Sequence, residues 1–158
     1  DARKDYYKFY DLNHDKMASP YPGIIEIIKE IKEHNLPLGI YTGKGRISTE
    51  ITLSKIGILN YFDLIISGDD VKNHKPSPEG IVKFAEKFNI LPENILMIGD
   101  APADIIAAKT AGAKVASVLW DSYAIDTIRR LRADFYFNTV IDLHKFVKRQ
   151  LKKIKKNL

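Results

Sequence analysis

The chain has 158 residues, of which 45% are hydrophobic and 28% are charged, a composition typical of one globular domain with its own core. It contains no cysteine and no apolar run of roughly 18 residues, which excludes disulfides, thiolate metal sites and a membrane span. The net charge of +5 is concentrated in residues 145–158, where seven side chains are basic and none is acidic. Because the basic excess is confined to this segment, we expect the rest of the chain not to bind nucleic acid. Residues 1–16 have no signal-peptide pattern, so we expect a cytoplasmic protein.

Residues 1–20 are predicted to form a helix and a linker that precede a core domain at residues 21–147. Three tyrosines and Met17 lie at the spacing of one helix face. The competing interpretation is a short strand at residues 7–10 that ends in Asp11 and Asn13, because this stretch is also rich in aromatic residues.

From residue 22 onward, helical patterns alternate with short apolar runs. Strands are predicted at residues 38–41, 64–67, 95–98, 115–119 and 135–137, with a helix between each pair. This alternation predicts an α/β fold in which a parallel sheet is covered by helices on both faces. The uninterrupted apolar run at residues 95–98 predicts a strand that is buried on both faces.

The last predicted helix begins near Leu143 and continues into a basic helical tail at residues 148–158. One apolar stripe is expected to dock it on the domain, formed by Leu143, Phe146, Val147, Leu151 and Ile154. A solvated terminal helix is the simplest interpretation of the tail. An acidic partner or a membrane surface is the alternative.

Polar residues follow the first three strands at the edge where parallel sheets bind ligands. Thr42 and Gly43 follow the first strand, Lys75 comes after the second, and Asp100 and Asp104 follow the third. Together they would offer a hydroxyl, a cation and two carboxylates to a phosphate and a magnesium ion. Each has a simpler interpretation as a turn, a loop lysine or a helix cap.

Asp69 and Asp70 also follow the second strand, but their pattern is weaker evidence for a functional site than that of Asp100 and Asp104. The sequence Gly-Asp-Asp is often only a turn.

In this order, the motifs resemble those of the haloacid dehalogenase (HAD) superfamily, and within it the phosphoglycolate-phosphatase-like branch. Thr42 matches the second motif of that superfamily, and Lys75 in Lys-Pro-Ser-Pro-Glu matches the third. Gly99-Asp100-x-x-x-Asp104 matches the fourth. The likeness extends from about Tyr21 to Val147 and implies a three-layer, Rossmann-like core.

The resemblance implies a role for each matched residue. Thr42 and Gly43 would hold phosphate oxygens, and Lys75 would orient the nucleophile and balance charge. Asp100 would ligate Mg²⁺, and Asp104 would support the metal site. In this superfamily an aspartate attacks phosphorus, and water hydrolyses the resulting aspartyl-phosphate.

The first motif of the superfamily, an apolar strand ending in Asp-x-Asp, is not present in the chain. It supplies the nucleophile and the acid–base aspartate from the centre of the sheet. Asp11-Leu12-Asn13 is the nearest imitation, but an asparagine cannot exchange a proton as the second aspartate does. The resemblance implies that residues 1–20 are the end of the cap region and its linker to the core. We therefore expect an additional amino-terminal segment, of the same polypeptide or as a separate piece, which would supply both this strand and most of the cap domain. Without that strand, two hydrophobic strands would keep unpaired edges.

Two classes of function follow from these residues. The first is a Mg²⁺-dependent phosphatase of small phosphorylated metabolites that is complete only with the additional segment, so that this chain alone is inactive. The second is an inactive HAD-like module that binds phosphate or a partner. The presence of Thr42, Lys75, Asp100 and Asp104 together favours the first.

Overall fold

A computed structural model describes residues 1–156 and confirms the predicted alternation of helices and strands. The chain divides into two units, Asp1–Asp70 and Val71–Leu158. This division follows Asp70, whereas the sequence predicted boundaries after residues 20 and 147. Those two boundaries stay predictions. None of the described helices is both long and apolar enough to cross a membrane.

The first unit contains three α-helices, two strands and two short 3-10 turns. In chain order they are α1 (Ala2–Met17), α2 (Ile24–Glu33), β1 (Gly39–Tyr41), α3 (Arg46–Lys55), a turn at Leu59–Tyr61, β2 (Leu64–Ile66) and a turn at Gly68–Asp70. β1 and β2 pair in parallel, with Ile40 opposite Ile65. The core is a cluster of Ile28, Leu53 and Ile58, which joins α2 and α3 to the segment after α3.

The predicted helix near the start of the chain is confirmed over Ala2–Met17, and the competing strand is not formed. α1 runs without interruption through Asp11 and Asn13. Asn13 donates its side-chain N–H to the Phe9 carbonyl at 2.9 Å, and Asp11 pairs with Lys55 of α3 at 3.3 Å. Asp11 therefore does not stand at the end of a strand, where a nucleophile of this kind would be needed.

The second unit contains four α-helices, three strands and one 3-10 turn. In chain order they are α4 (Glu79–Phe88), a turn at Pro92–Asn94, β3 (Leu96–Gly99), α5 (Pro102–Ala111), β4 (Lys114–Val118), α6 (Ile125–Leu131), β5 (Phe135–Phe137) and α7 (Val140–Lys156). The three strands are parallel in the order β3-β4-β5. The fully buried core includes Ile105, Val115 and Ile128.

Two burial predictions were wrong. β3 was expected to be buried on both faces, but Ile98 is 38% exposed, because β3 lies at the edge of its sheet. Ile154 was expected on the apolar stripe of the last helix, but it is 37% exposed, because the buried stripe ends at Leu151, one turn earlier. The rest of the stripe is buried as predicted, and the basic side chains of α7 are exposed.

Candidate active site

An ion pair with a buried carboxylate lies at the carboxyl end of β3. Lys75 Nζ donates to Asp104 Oδ1 at 2.7 Å, and Asp104 is only 3% exposed. The second carboxylate oxygen accepts the backbone N–H of Ala101 at 3.1 Å, which holds the first turn of α5. A carboxylate buried to this extent needs such partners, because an unpaired charge in the interior is costly. The pair fixes the position of the lysine ammonium group.

Gly99 is required by the ion pair. A β-carbon added at this position would lie 2.2 Å from Asp104 Oδ2, far inside van der Waals contact. The strand therefore passes close under the carboxylate, and only glycine leaves room for it. In the predicted motif Gly99-Asp100-x-x-x-Asp104, the glycine is therefore needed for close packing, and Asp104 is needed to bind Lys75.

Asp100 is exposed at the first position after β3. Its backbone carbonyl accepts the Ser122 hydroxyl at 2.9 Å, which ties this position to the loop after β4. The described residues contain no group of three or more histidine, cysteine, aspartate or glutamate side chains arranged around a metal. A single accessible carboxylate still fits Mg²⁺, which keeps several waters and uses one or two carboxylates with substrate oxygens.

The two predicted metal residues thus differ in their surroundings. Both oxygens of Asp104 already accept hydrogen bonds, whereas Asp100 is exposed to solvent. Asp100 is suited to direct coordination, and Asp104 is suited to holding the Lys75 ammonium group. The assignment of both residues to a metal site stays a prediction.

Glu79 holds the loop that carries Lys75, a role that the sequence analysis missed. Its carboxylate accepts the backbone N–H groups of Lys72 at 3.0 Å and Asn73 at 2.9 Å. These two bonds, together with a hydrogen bond from Lys83, lower the pKa of Glu79 to about 2. The sequence contained a usable signal, because an acidic residue in the first turn of a helix often accepts backbone N–H groups.

In the first unit, Thr42 and Gly43 directly follow β1. The Thr42 N–H donates to the Ile66 carbonyl at 2.9 Å, which extends the parallel pairing past the end of the strand. Its hydroxyl accepts the Lys44 N–H at 3.2 Å and keeps its own hydrogen for another acceptor. Gly43 is exposed, and a β-carbon there would meet open space. Both features suit an anion that approaches the backbone.

Asp69 and Asp70 organise the turn after β2, as the sequence indicated. Asp69 accepts the Arg46 N–H at the start of α3 at 2.7 Å. Asp70 accepts the Arg46 guanidinium at 2.6 Å and both the N–H and the hydroxyl of Ser67. Partial burial raises the pKa of Asp70, but the hydrogen bonds from Arg46 and Ser67 outweigh it and lower that pKa to about 2. Both carboxylates are committed to local structure.

The structure thus brings together Lys75 and Asp104, with Asp100 four residues before Asp104 at the same strand end. Thr42 and Gly43 belong to the first unit and the other three residues to the second. The convergence of all five on one phosphate stays a prediction.

Comparison with known proteins gives consistent matches. A family model described as haloacid dehalogenase-like hydrolase matches residues 1–118. Pyrophosphatase PpaX from Bacillus cereus (strain B4264) is 33% identical over 138 residues, and PpaX from Halalkalibacterium halodurans is 34% identical over the same length. These alignments cover 87% of this chain and 64% of each relative.

Several solved structures have a similar fold, and two of them are described as phosphatases. The crystal structure of a predicted phosphoglycolate phosphatase from Haemophilus somnus 129PT has a TM-score of 0.78 at 25% identity, covering 88% of this chain and 62% of that one. A HAD phosphatase from Thermococcus onnurineus has a TM-score of 0.77 at 25% identity, covering 90% and 64%. The expected α/β class with a Rossmann-like core is confirmed. The chain spans less than two thirds of the length of these relatives.

Proposed function

We propose that this chain, which belongs to the haloacid dehalogenase-like hydrolase family, supplies the phosphate- and metal-binding residues of a cytoplasmic phosphatase that acts on small phosphorylated metabolites. The observation that carries the proposal is the ion pair between Lys75 and the buried Asp104, four residues after the exposed Asp100 at the end of β3. A helix cap alone needs no paired lysine, whereas a phosphoryl-transfer site needs a fixed cation and a metal-binding carboxylate.

In this proposal, each matched residue has a distinct task. Thr42 donates its hydroxyl hydrogen to a phosphate oxygen, and the open backbone at Gly43 lets that oxygen approach. Lys75, held by Asp104, neutralises charge near the transferring group. Asp100 would hold Mg²⁺, which when bound supplies further charge stabilisation to the phosphoryl oxygens.

We propose that the nucleophile comes from a segment outside these 158 residues, which would insert a strand next to β1 or β3. Two observations support this. Among the described strands, β1 and β3 each lie at the edge of their own sheet, and Ile98 on β3 is partly exposed despite its apolar side chain. The family mechanism would then form an aspartyl-phosphate on that segment, and this chain alone would be inactive.

The candidate substrates include pyrophosphate and phosphoglycolate, which appear in the names of the relatives. The test measures phosphate release from both compounds by the full gene product with Mg²⁺. Lys75→Ala should lower kcat by at least about a hundredfold, because it removes a charge from the site of phosphoryl transfer. Lys87→Ala on the exposed side of α4 is the matched control and should retain the wild-type rate.

The second candidate is an inactive HAD-like module that binds phosphate or a partner. It is favoured by α1, which places the only Asp-x-Asn sequence of the chain inside a helix. In that case, the full gene product would release no phosphate above the buffer blank, whereas it would still bind inorganic phosphate. Turnover that is equal in wild type and Lys75→Ala would reject the phosphatase mechanism proposed for these residues.

A further inference from the structure

The peptide unit between Asp100 and Ala101 is held by hydrogen bonds at both of its ends. The Asp100 carbonyl oxygen accepts the Ser122 hydroxyl at 2.9 Å, and the Ala101 N–H donates to Asp104 Oδ2 at 3.1 Å. The C=O and N–H groups of one trans peptide lie in one plane and point in opposite directions. The two hydrogen bonds therefore act together to restrict the rotation of this plane.

The N–H end of this peptide is held by the ion pair of the candidate site. The Asp104 carboxylate is buried, and its other oxygen accepts the Lys75 ammonium at 2.7 Å. The carboxylate cannot turn away from the Ala101 N–H without disturbing this pair. The remaining freedom of the peptide plane therefore depends on the bond from Ser122 at the carbonyl end.

A tight turn after β4 brings Ser122 back to the end of β3. Leu119 anchors this turn, because its side chain is buried and its N–H donates to the Phe137 carbonyl of β5 at 2.9 Å. The Ser122 N–H then donates to the Leu119 carbonyl at 3.4 Å. Because β4 pairs directly with β3, with Ser117 opposite Gly99, the chain leaves β4 beside the end of β3.

The Ser122 hydroxyl also contributes to the start of α6, but this second bond does not explain the first. Its oxygen accepts the Ala124 N–H at 3.3 Å, as a side chain before a helix often does. The start of a helix needs acceptors for its N–H groups, whereas the single hydrogen of the hydroxyl is donated to Asp100. The donated bond links the turn to the predicted metal-binding residue.

The orientation of this peptide plane determines where the Asp100 side chain points. The ψ angle of Asp100 relates its Cα–Cβ bond to the plane, so a fixed plane fixes the direction in which the side chain leaves the backbone. The carboxylate itself is exposed to solvent. A carboxylate on a fixed backbone loses less conformational freedom when it binds a cation, and it therefore binds the cation more tightly.

We propose that Ser122 is a positioning residue for the metal-binding carboxylate of Asp100. The inference rests on the proposed function, in which Asp100 holds Mg²⁺, and it adds the residue that keeps this carboxylate in place. Groups that orient a metal ligand without touching the metal typically contribute about tenfold to a hundredfold in metal affinity. Because Ser122 acts through the backbone of Asp100, we expect an effect at the lower end of that range, about tenfold.

The test measures the dissociation constant of Mn²⁺ on the full gene product without substrate, from the electron paramagnetic resonance signal of the free ion. Ser122→Ala removes the hydroxyl and should weaken Mn²⁺ binding about tenfold. Ser122→Thr keeps the hydroxyl and should bind Mn²⁺ within about twofold of wild type. Thr110→Val is the matched control and should not change the constant. It removes a hydroxyl that donates to the Ile106 carbonyl at 2.7 Å, at the opposite end of α5 from Asp100.

A second readout separates positioning from a merely structural role. In pyrophosphate hydrolysis, Ser122→Ala should raise the Mg²⁺ concentration for half-maximal rate about tenfold and lower kcat at saturating Mg²⁺ less than about threefold. A residue that only stabilised the turn would lower the free energy of unfolding and leave the metal dependence unchanged. The proposal is overturned if Ser122→Ala binds Mn²⁺ as tightly as wild type, or if Ser122→Thr does not restore binding. It is equally overturned if wild type binds no Mn²⁺, or if Thr110→Val weakens binding as much as Ser122→Ala.

The Mn²⁺ measurement is independent of turnover, so it separates the two proposals. If Mn²⁺ binding depends on the Ser122 hydroxyl but no phosphate is released, the phosphatase function fails and the positioning role of Ser122 stands. If phosphate is released with Mg²⁺ and Ser122→Ala leaves Mn²⁺ binding unchanged, the phosphatase function stands and the role of Ser122 fails.

Discussion

Replacing Gly99 by alanine tests the packing of the candidate site. The new β-carbon would lie 2.2 Å from Asp104 Oδ2 and 2.6 Å from the β-carbon of Asp104. The carboxylate would have to retreat by about 1 Å to restore ordinary contact, since overlap of this kind is strongly repulsive. A shift of that size breaks the 2.7 Å bond to Lys75 and the bond to the Ala101 N–H.

Two known effects give a range for the loss of unfolding free energy that Gly99→Ala should cause. Overpacking of a tight site costs about 1–3 kcal/mol. Separating the partners of a buried ion pair costs about 3–5 kcal/mol. Lys75 keeps 19% of its side-chain exposure and can turn toward water, which places the expected loss near the lower end of the second range. We therefore expect Gly99→Ala to reduce the free energy of unfolding of the second unit by about 3 kcal/mol.

The assay is urea unfolding followed by the fluorescence of Trp120, the only tryptophan, which belongs to the second unit. Gly43→Ala is the control and should change stability by less than about 0.5 kcal/mol, because a β-carbon there meets open space. In a background of Asp104→Gly, which removes the colliding side chain, Gly99→Ala should cost less than about 1 kcal/mol. The same cost in both backgrounds would refute the proposed collision.

Three further changes test contacts that position the site. Asp70→Asn should destabilise the chain by about 1 kcal/mol at pH 7, a value discounted because Asp70 is one third exposed. The lowered pKa of Asp70 means that this difference should vanish as the pH falls from about 4 to about 2, so a pH-independent difference in urea unfolding would contradict the assignment. Glu79→Gln should speed amide hydrogen exchange at Lys72 and Asn73, which lose a charged acceptor, and unchanged exchange would exclude this role. Lys44→Met should raise the pKa of Tyr10, because the lysine ammonium helps to lower that pKa. The titration of Tyr10 is measured by NMR of ¹³C-labelled tyrosine. An unchanged pKa would exclude the contact between Lys44 and Tyr10.

The secondary structure could be predicted from the periodicity of the apolar residues and from the glycines that end helices. Gly57 and Gly112 stand in the sequence where helical patterns end, and both adopt positive φ angles just after α3 and α5. Each bound of the five strands was predicted to within one residue, because short apolar runs between helices are distinctive in α/β proteins. The alternative strand at residues 7–10 was possible only because tyrosine favours strands as well as helix faces that pack against other elements.

Side-chain partnerships could not be predicted in the same way. The motif placed Asp104 near a metal, but spacing gives no information on hydrogen bonds, and the structure shows both its oxygens engaged by Lys75 and Ala101. The anchoring of Lys44 by Tyr10 joins residues that are 34 positions apart. Contacts of this kind depend on how α1 packs on α3, which local sequence patterns do not encode.

The proposed role of Asp100 is tested most directly by phosphate release from pyrophosphate by the full gene product, with Mg²⁺ and with excess chelator. We predict that hydrolysis requires Mg²⁺ and that Asp100→Asn lowers kcat by at least about a hundredfold, since the amide loses the charge that attracts the cation. Asp126→Asn, at an exposed position of α6, should retain the wild-type rate. Equal turnover by wild type and Asp100→Asn, or turnover that persists with chelator, would contradict it.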